Sequence, residues 1–524
     1  MTITPGEAKA RIHSQDEVAL LDIREHGQYG EGHPFLSVHC PFSSLETEII
    51  RLVPHVHAEI ILMDDGDGVA ERALHILRHM GYTRASAMQG GAPGWSAAGF
   101  TLFKGVNLPS KTLGELVEHR DHPNMMTPTQ LHDWMQTGKS FALFDCRPPS
   151  EYAKMTLPTA HCVPNGELAH RIGGLVQDPD QPIVITCAGR TRGLIGWSGL
   201  AALKLPNPIY AIENGTQGWA LAGHALQRDN PKPAMPALTP EAKALSQARA
   251  EKLMAEHHLK EIAPETLLEF AKDPARCVFL VDVRSEEEFA REHLPQAQHA
   301  WSGQIVQATD LTAGVRRARI VLSDDTGMRA ALAALWLKTL GYEAFILRKT
   351  RASDLPTNWR SFTPSLPVAT PVPHLSPTEA YGLMQTADIR LVDFRGSQAF
   401  RNRHATGSVW ASRPRLASHP LLHKGQAILL MHEDPVQAAF IAKECTQLGL
   451  VVKGLVKGGL KAWQLAGLET SSSPDVPADA DCIDFLFFVH DRHDGNLESA
   501  RRYLEWETGL IAQLDAQEQA SFSL

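Results

Sequence analysis

Residues 182–196 read PIVITCAGRTRGLIG. A β-branched run, Ile183 to Thr186, ends at Cys187, and an apolar pattern of helical type follows a few residues later. The junction of a strand with a helix start offers unpaired backbone N–H groups and the positive end of the helix dipole. Successive N–H groups in such a turn form a nest for anions, and a thiolate placed there is stabilised, so its pKa falls below the free value of about 8.5. Arg190 and Arg192 add two fixed charges that can hold an oxyanion through paired hydrogen bonds. These residue types in this order predict a nucleophilic cysteine acting on an anionic substrate. A small buried cysteine closing a strand is the contrary reading. It accounts for Cys187 but not for the glycine and two arginines crowded behind it.

Elements that could position this loop recur along the chain. An apolar strand ending in Asp-x-Arg appears four times, at Asp22 and Arg24, Asp145 and Arg147, Asp282 and Arg284, and Asp393 and Arg395. The intervals, about 110–140 residues, are those of domains and not of a solenoid. Each copy continues with an aromatic residue (Tyr29, Tyr152, Phe289, Phe400) and a second buried strand. An amphipathic helix follows each second strand. Copies one, two and four close with a Gly-containing turn and a tryptophan, Trp95, Trp219 and Trp463; copy three has KTRASD there instead. Strands alternating with helices predict an α/β fold, each unit a parallel sheet flanked by helices on both faces. The units are expected at 5–103, 125–227, 259–352 and 374–470, with a helical tail over 482–524. A connecting helix is expected over EAKALSQARAEKLMAEHHLK, and a proline-rich linker over 363–377.

These features together resemble the rhodanese-like domain of sulfurtransferases. The carrying residues are Asp145-Cys146-Arg147, Glu151-Tyr152, the CAGRTR loop and NGTQGW, and the fourfold series resembles the four-domain rhodanese-related sulfurtransferases of bacteria. The resemblance implies that Cys187 takes a sulfur atom as a persulfide. Loop N–H groups around Ala188, Gly189 and Thr191 would cradle it, and Arg190 and Arg192, read as exposed loop side chains, would neutralise a sulfonate-like donor. Arg147 matches a position that can contact the donor; an ion pair with Asp145 is the equal alternative. Arginines at the third and fifth positions after the cysteine favour thiosulfate over mercaptopyruvate, whose enzymes carry a neutral loop. The family's histidine near this strand is replaced by Thr156. The corresponding turns of copies one, three and four lack cysteine and are expected to be inactive. Two-domain members pair an inactive unit with an active one, so copy one is expected to pack on copy two across the short connection from Phe103 to Thr127.

Bulk properties narrow the field. A net charge of −9 over 524 residues leaves no basic stripe for nucleic acid. No stretch has the ~20 apolar residues of a membrane helix, and the N-terminus lacks a signal core. Seven scattered cysteines without C-x-x-C point to reduced thiols in the cytoplasm, and the 25 histidines show no metal-ligand spacing. Neither metal nor organic cofactor is expected. The partners expected are a small anionic sulfur donor and a thiol, cyanide or protein acceptor. Cys146, Cys162, Cys277, Cys445 and Cys482 read as core residues. The tail motif HDRHDGN reads as a turn capping the next helix, with Asn496 or Asp494 near the N-cap. Two other classes compete. A phosphatase of this fold would need an arginine six places after the cysteine, where Gly193 stands. A scaffold or sulfur carrier fed by mercaptopyruvate or a protein persulfide would suit three degenerate copies, but has less need of Cys187 in its nest.

Overall fold

The computed structural model describes residues 2–368, 371–386 and 388–523; residues 369 and 370 of the proline-rich linker, residue 387 in the fourth unit, and the two terminal residues lie outside it. Four five-stranded parallel sheets follow one another along the chain. In the second, the strands are Met125–Met126, Ala142–Asp145, His161–Cys162, Ile183–Thr186 and Ile209–Ile212. Across the sheet they lie in the order first, fifth, fourth, second, third, and the other three sheets repeat that order. Of the second and fourth strands of the sheets, Val18–Asp22, Ile183–Thr186 and Val278–Asp282 are buried along their whole length, and the others along all but their first residue or two, as their apolar runs require. Among the described residues no helix is long and apolar enough to cross a membrane.

The recurrent Asp-x-Arg is a buried clasp. In the second unit the Arg147 guanidinium donates to both oxygens of Asp145, at 2.6 Å from Nη2 and 2.9 Å from Nε, and to the Met155 carbonyl at 2.6 Å. Arg24, Arg284 and Arg395 hold Asp22, Asp282 and Asp393 in the same way, each reaching a carbonyl eight residues further on. A buried carboxylate at a strand end is tolerable only when paired and hydrogen-bonded, and the clasp does both while fixing the turn after the strand. Thr156 donates to Asp145 at 2.7 Å and so completes the clasp of the second unit. Cys162 lies within donor range of the Arg147 carbonyl, at 3.5 Å, where His39, His299 and Trp410 make the corresponding contact in the other units.

The tryptophans have one task. Trp95, Trp219 and Trp463 each donate from the indole to a carbonyl six residues later, at 3.0–3.1 Å. The third unit lacks that residue, and Trp359, from beyond the sheet, enters its core instead and donates to the Pro295 carbonyl at 2.7 Å.

The pairing of units differs from the expectation. The connection between units one and two contains a fourteen-residue helix, Leu108–Asp121, which packs on the helix Thr191–Ala202 and takes the place assigned to copy one. Unit two instead meets unit three through equivalent positions. Asn165 and Gly166 lie against Ser302 and Gly303; a Cβ on Gly303 would stand 2.7 Å from the Asn165 Cβ, and one on Gly166, at φ +87°, 2.4 Å from the Ser302 Cβ. Unit one meets unit four through the same place in the fold. Arg413 donates to the Phe42 carbonyl at 3.2 Å and pairs with Glu46 and Glu444, both at 2.7 Å. Unit three also binds unit one, where the Gly314 N–H donates to the Leu52 carbonyl at 2.9 Å. Its alanine-rich helix Met328–Thr339 is buried nearly all round, against the helices Glu167–Leu175 and Pro240–Glu256. It also packs on the helix Ser302–Gln307, and its four alanines let three helices approach at once.

Two outcomes are expected. Gly303→Ala should destabilise the junction of units two and three by about 1–3 kcal/mol, the usual cost of overpacking, and lower the melting temperature; an unshifted melt would show that Asn165 can move aside. Arg147→Ala leaves the buried Asp145 carboxylate without its cation and should cost about 3–5 kcal/mol. An Arg147→Ala protein with a wild-type melt would contradict the clasp.

Candidate active site

Strand register places the loop. Thr186 pairs with Asp145 in the sheet, so Cys187 and Cys146 leave the ends of adjacent strands side by side. The same register in the other units puts Asp64, Asp324 and His432 where unit two has Cys187. Cys187 is 2% exposed. Its thiol lies 3.7 Å from the Arg190 carbonyl, and a Cβ on Gly193 would be 3.5 Å from its sulfur. The thiol pKa is lowered, chiefly by hydrogen bonding from Cys146, then by the charge of Arg192 and the N–H groups of Gly193 and Gly189; burial acts the other way. Burial pushes Cys146 far up, so of the two thiols it is the one that keeps its proton and Cys187 the one that ionises. The sequence read Cys146 as a core residue. It is buried, its thiol 3.5 Å from the Arg192 carbonyl, and it ends the strand beside that of the candidate nucleophile, a placement that only the strand register reveals.

The loop is fastened from behind. The Cys187 carbonyl accepts from the Thr216 N–H at 2.8 Å, and the Ala188 carbonyl from the Gln217 N–H at 3.1 Å. Gly215 adopts φ +53°, and a Cβ there would stand 2.2 Å from the Cys187 carbonyl oxygen. Only glycine permits that approach, which is why the Asn-Gly turn precedes Trp219.

Both loop arginines are largely enclosed, their side chains 11% and 14% exposed, and both already hold carboxylates. Arg190 binds Glu115 through Nε at 2.7 Å and Nη2 at 2.8 Å, and also pairs with Glu118. Both glutamates belong to the connecting helix Leu108–Asp121. Arg192 binds both oxygens of Glu151, one of them at 2.9 Å. Arg192 in turn holds the Glu151 carboxyl down at about 2 although burial opposes this, whereas burial lifts Glu115 to about 7. Arg147 lies inside its clasp, 1% exposed. The sequence placed Arg190 and Arg192 as exposed donor contacts, and each is instead paired within the protein; for Arg147 the structure shows the alternative also weighed, the ion pair with Asp145.

The C-terminal tail roofs the loop. Thr191 donates to Glu507 at 2.6 Å, and Gly189 faces Glu507 and the Tyr503 ring, both 3.4 Å from where its Cβ would be. These residues lie on the helix Leu497–Thr508, which Asn496 caps by accepting from the Ser499 N–H at 3.0 Å. Lys111 of the connecting helix is buried; its ammonium is 4.6 Å from the Trp506 ring and 5.1 Å from Tyr503, and burial brings its pKa to about 7. Nothing in the sequence marks Glu507 or Tyr503 as partners of a loop more than three hundred residues away.

In units one and three the nest already holds a carboxylate, and in unit four a histidine. Asp64 accepts the Gly66 and Ala70 N–H groups, each at 3.0 Å. Asp324 accepts the Arg329 N–H at 2.9 Å and its side chain at 3.0 Å. His432 in unit four accepts the Asp434 N–H at 3.0 Å. Of the four positions, only that of unit two carries a thiol.

Comparison with known proteins agrees with this architecture. The sequence profile of the Rhodanese-like domain matches residues 4–98, 127–222 and 264–349. The crystal structure of a thiosulfate sulfurtransferase from Pseudomonas aeruginosa superposes with a TM-score of 0.90 at 31% identity, over 100% of this chain and 99% of that one. A rhodanese-related protein from Thermoplasma volcanium aligns at 21% identity over 20% of this chain and 97% of its own, with a TM-score of 0.18. Among curated proteins there is no match. With the profile covering over half of its length and a full-length relative of the same architecture, the chain belongs to the rhodanese-like family.

Proposed function

We propose that the protein is a thiosulfate sulfurtransferase working through Cys187. The observation that carries the reading is the setting of that thiol: at a strand end, its pKa lowered by Cys146, Arg192 and two loop N–H groups. The full-length relative at 31% identity, a thiosulfate sulfurtransferase, supports the donor. The Cys187 thiolate attacks the outer sulfur of thiosulfate. A new S–S bond forms, the donor's S–S bond breaks, and sulfite leaves with the electron pair. The loop N–H groups face the persulfide anion and stabilise it as they do the thiolate. Cyanide or a thiolate then takes the outer sulfur and restores Cys187, a two-step covalent scheme with ping-pong kinetics.

In this reading Arg192 acts on the sulfur through its field, and Arg190 holds the connecting helix against the loop. Cys146, its thiol donating to the Arg192 carbonyl at 3.5 Å, stays neutral beside the nucleophile. Seven cysteines free of disulfides support a reducing, cytoplasmic setting. The three units without a loop thiol act as packing partners of the active one.

Intact-mass analysis after thiosulfate treatment tests the proposal. The wild type should gain one sulfur atom and lose it to cyanide as thiocyanate, and Cys187→Ser should gain none. A wild type that stays at its original mass, or sulfur gained by Cys187→Ser, would overturn the reading.

A further inference from the structure

The loop poses a problem of charge. A donor with an anionic sulfonate must be held beside Cys187, yet Arg190, Arg192 and Arg147 are each matched by carboxylates of Glu115, Glu118, Glu151 and Asp145. Two other cations approach the site from outside the loop, and both lie against the same aromatic ring. Lys111 is 5.1 Å from the Tyr503 ring, and the Arg492 guanidinium is 4.4 Å from it. Tyr503 in turn borders Gly189 of the loop, and its hydroxyl feels the charges of Glu507, Arg492, Arg192 and Cys187.

The two cations are not equivalent. Lys111 donates to the Val106 carbonyl at 2.6 Å, and Glu507 is the charge that acts on it most strongly. Arg492 has no such match. Among the described residues, the ion pairs of its segment join Arg228 to Asp494 and Arg501 and Arg502 to Glu498, and none includes Arg492. Its Nε is buried without a hydrogen-bond partner. A buried N–H of a guanidinium left unmade is costly, and an oxyanion is the partner that would satisfy it. Stacking on Tyr503 keeps the planar group oriented while leaving its edge free.

The geometry points to Arg492, carried by the C-terminal tail on the face of Tyr503, as the residue that holds the anionic end of the sulfur donor beside Cys187. The inference rests on the sulfurtransferase reading for the identity of the donor, but the anion site itself does not. Arg492 is thus a specificity residue contributed from outside all four sheets. The tail that roofs the loop is part of the donor site, and an anion binding there would hold the roof down over the reacting sulfur.

The experiment uses the full chain and two readouts. The first is steady-state thiosulfate:cyanide transfer. The second is the rate of Cys187 alkylation by iodoacetate relative to iodoacetamide, an anionic and a neutral reagent of similar size. Arg492→Gln should raise the KM for thiosulfate about ten- to hundredfold, as for one lost charge-assisted contact, while kcat changes little. It should lower the iodoacetate to iodoacetamide ratio about tenfold, and Arg492→Lys should recover part of both. Arg501→Gln, an exposed charge on the helix that carries Tyr503, should leave both at wild-type values. Unchanged KM and ratio in Arg492→Gln would overturn the inference, as would equal slowing of both reagents, which would mean that Arg492 only holds the tail in place. A wild type that takes no sulfur from thiosulfate, combined with a ratio that still falls in Arg492→Gln, would keep the anion site and remove thiosulfate as its donor.

Discussion

A buried carboxylate clasped by the arginine two residues later sits at the end of one central strand in every unit, and the active loop is built against it. Asp145 and Arg147 fix the turn that follows their strand. That turn contains Cys146, and the sheet register sets Cys146 beside Cys187. The clasp therefore does more than hold a fold together. It sets the thiol that lies beside the nucleophile and donates to the Arg192 carbonyl, and through the Met155 carbonyl it fixes the chain leading to Thr156. Because both partners are almost wholly buried, the pair has no low-energy alternative short of opening the unit. A mobile surface arginine could not serve in this way.

The difference between the units that bears on chemistry lies at the end of the fourth strand. The nest of N–H groups at the start of the helix after the fourth strand suits an anion, and in units one and three the chain supplies its own, Asp64 and Asp324. A carboxylate there caps the helix and ends the site's capacity for chemistry. In unit two the occupant is a thiol, which becomes an anion when ionised and can extend by one sulfur atom without leaving the nest. The side chain that stabilises the fold in one unit thus becomes the reactive group in another. A carboxylate in place of a thiol in units one and three gives no nucleophile but keeps the helix start hydrogen-bonded.

Much of this was legible in the residues. The clasps, the parallel sheets and the position of Cys187 follow from short patterns read along one strand or one turn. What the patterns could not reveal is which partners come from elsewhere. Glu115 and Glu118 lie in the connection between units one and two, and their pairing with Arg190 turns one apparent donor contact into a structural one, as Glu151 does for Arg192. The same helix separates units one and two, and so the pairing runs instead between two and three and between one and four. Cys146 was visible, but its neighbour across the sheet was not. Local periodicity determines strands and helices, whereas ion pairs between distant segments depend on packing that no single segment encodes.

Charge compensation explains why the tail is needed. Each arginine near the nucleophile must be balanced because it is enclosed, and an unpaired buried charge would cost several kcal/mol. Once balanced, it no longer offers a free edge to a substrate, though its field still reaches the thiolate, as that of Arg192 does. Stability and binding thus make opposite demands on the same side chains within one loop. A cation on a separate segment relieves the conflict. Arg492 rests on an aromatic face and not on a carboxylate, so it keeps its charge and its orientation without being neutralised. The loop is then free to be rigid, with every polar side chain committed, while the group that meets the donor arrives from the tail. Rigidity at the nucleophile and availability of the cation are divided between two parts of the chain, and the Tyr503 ring is where they meet.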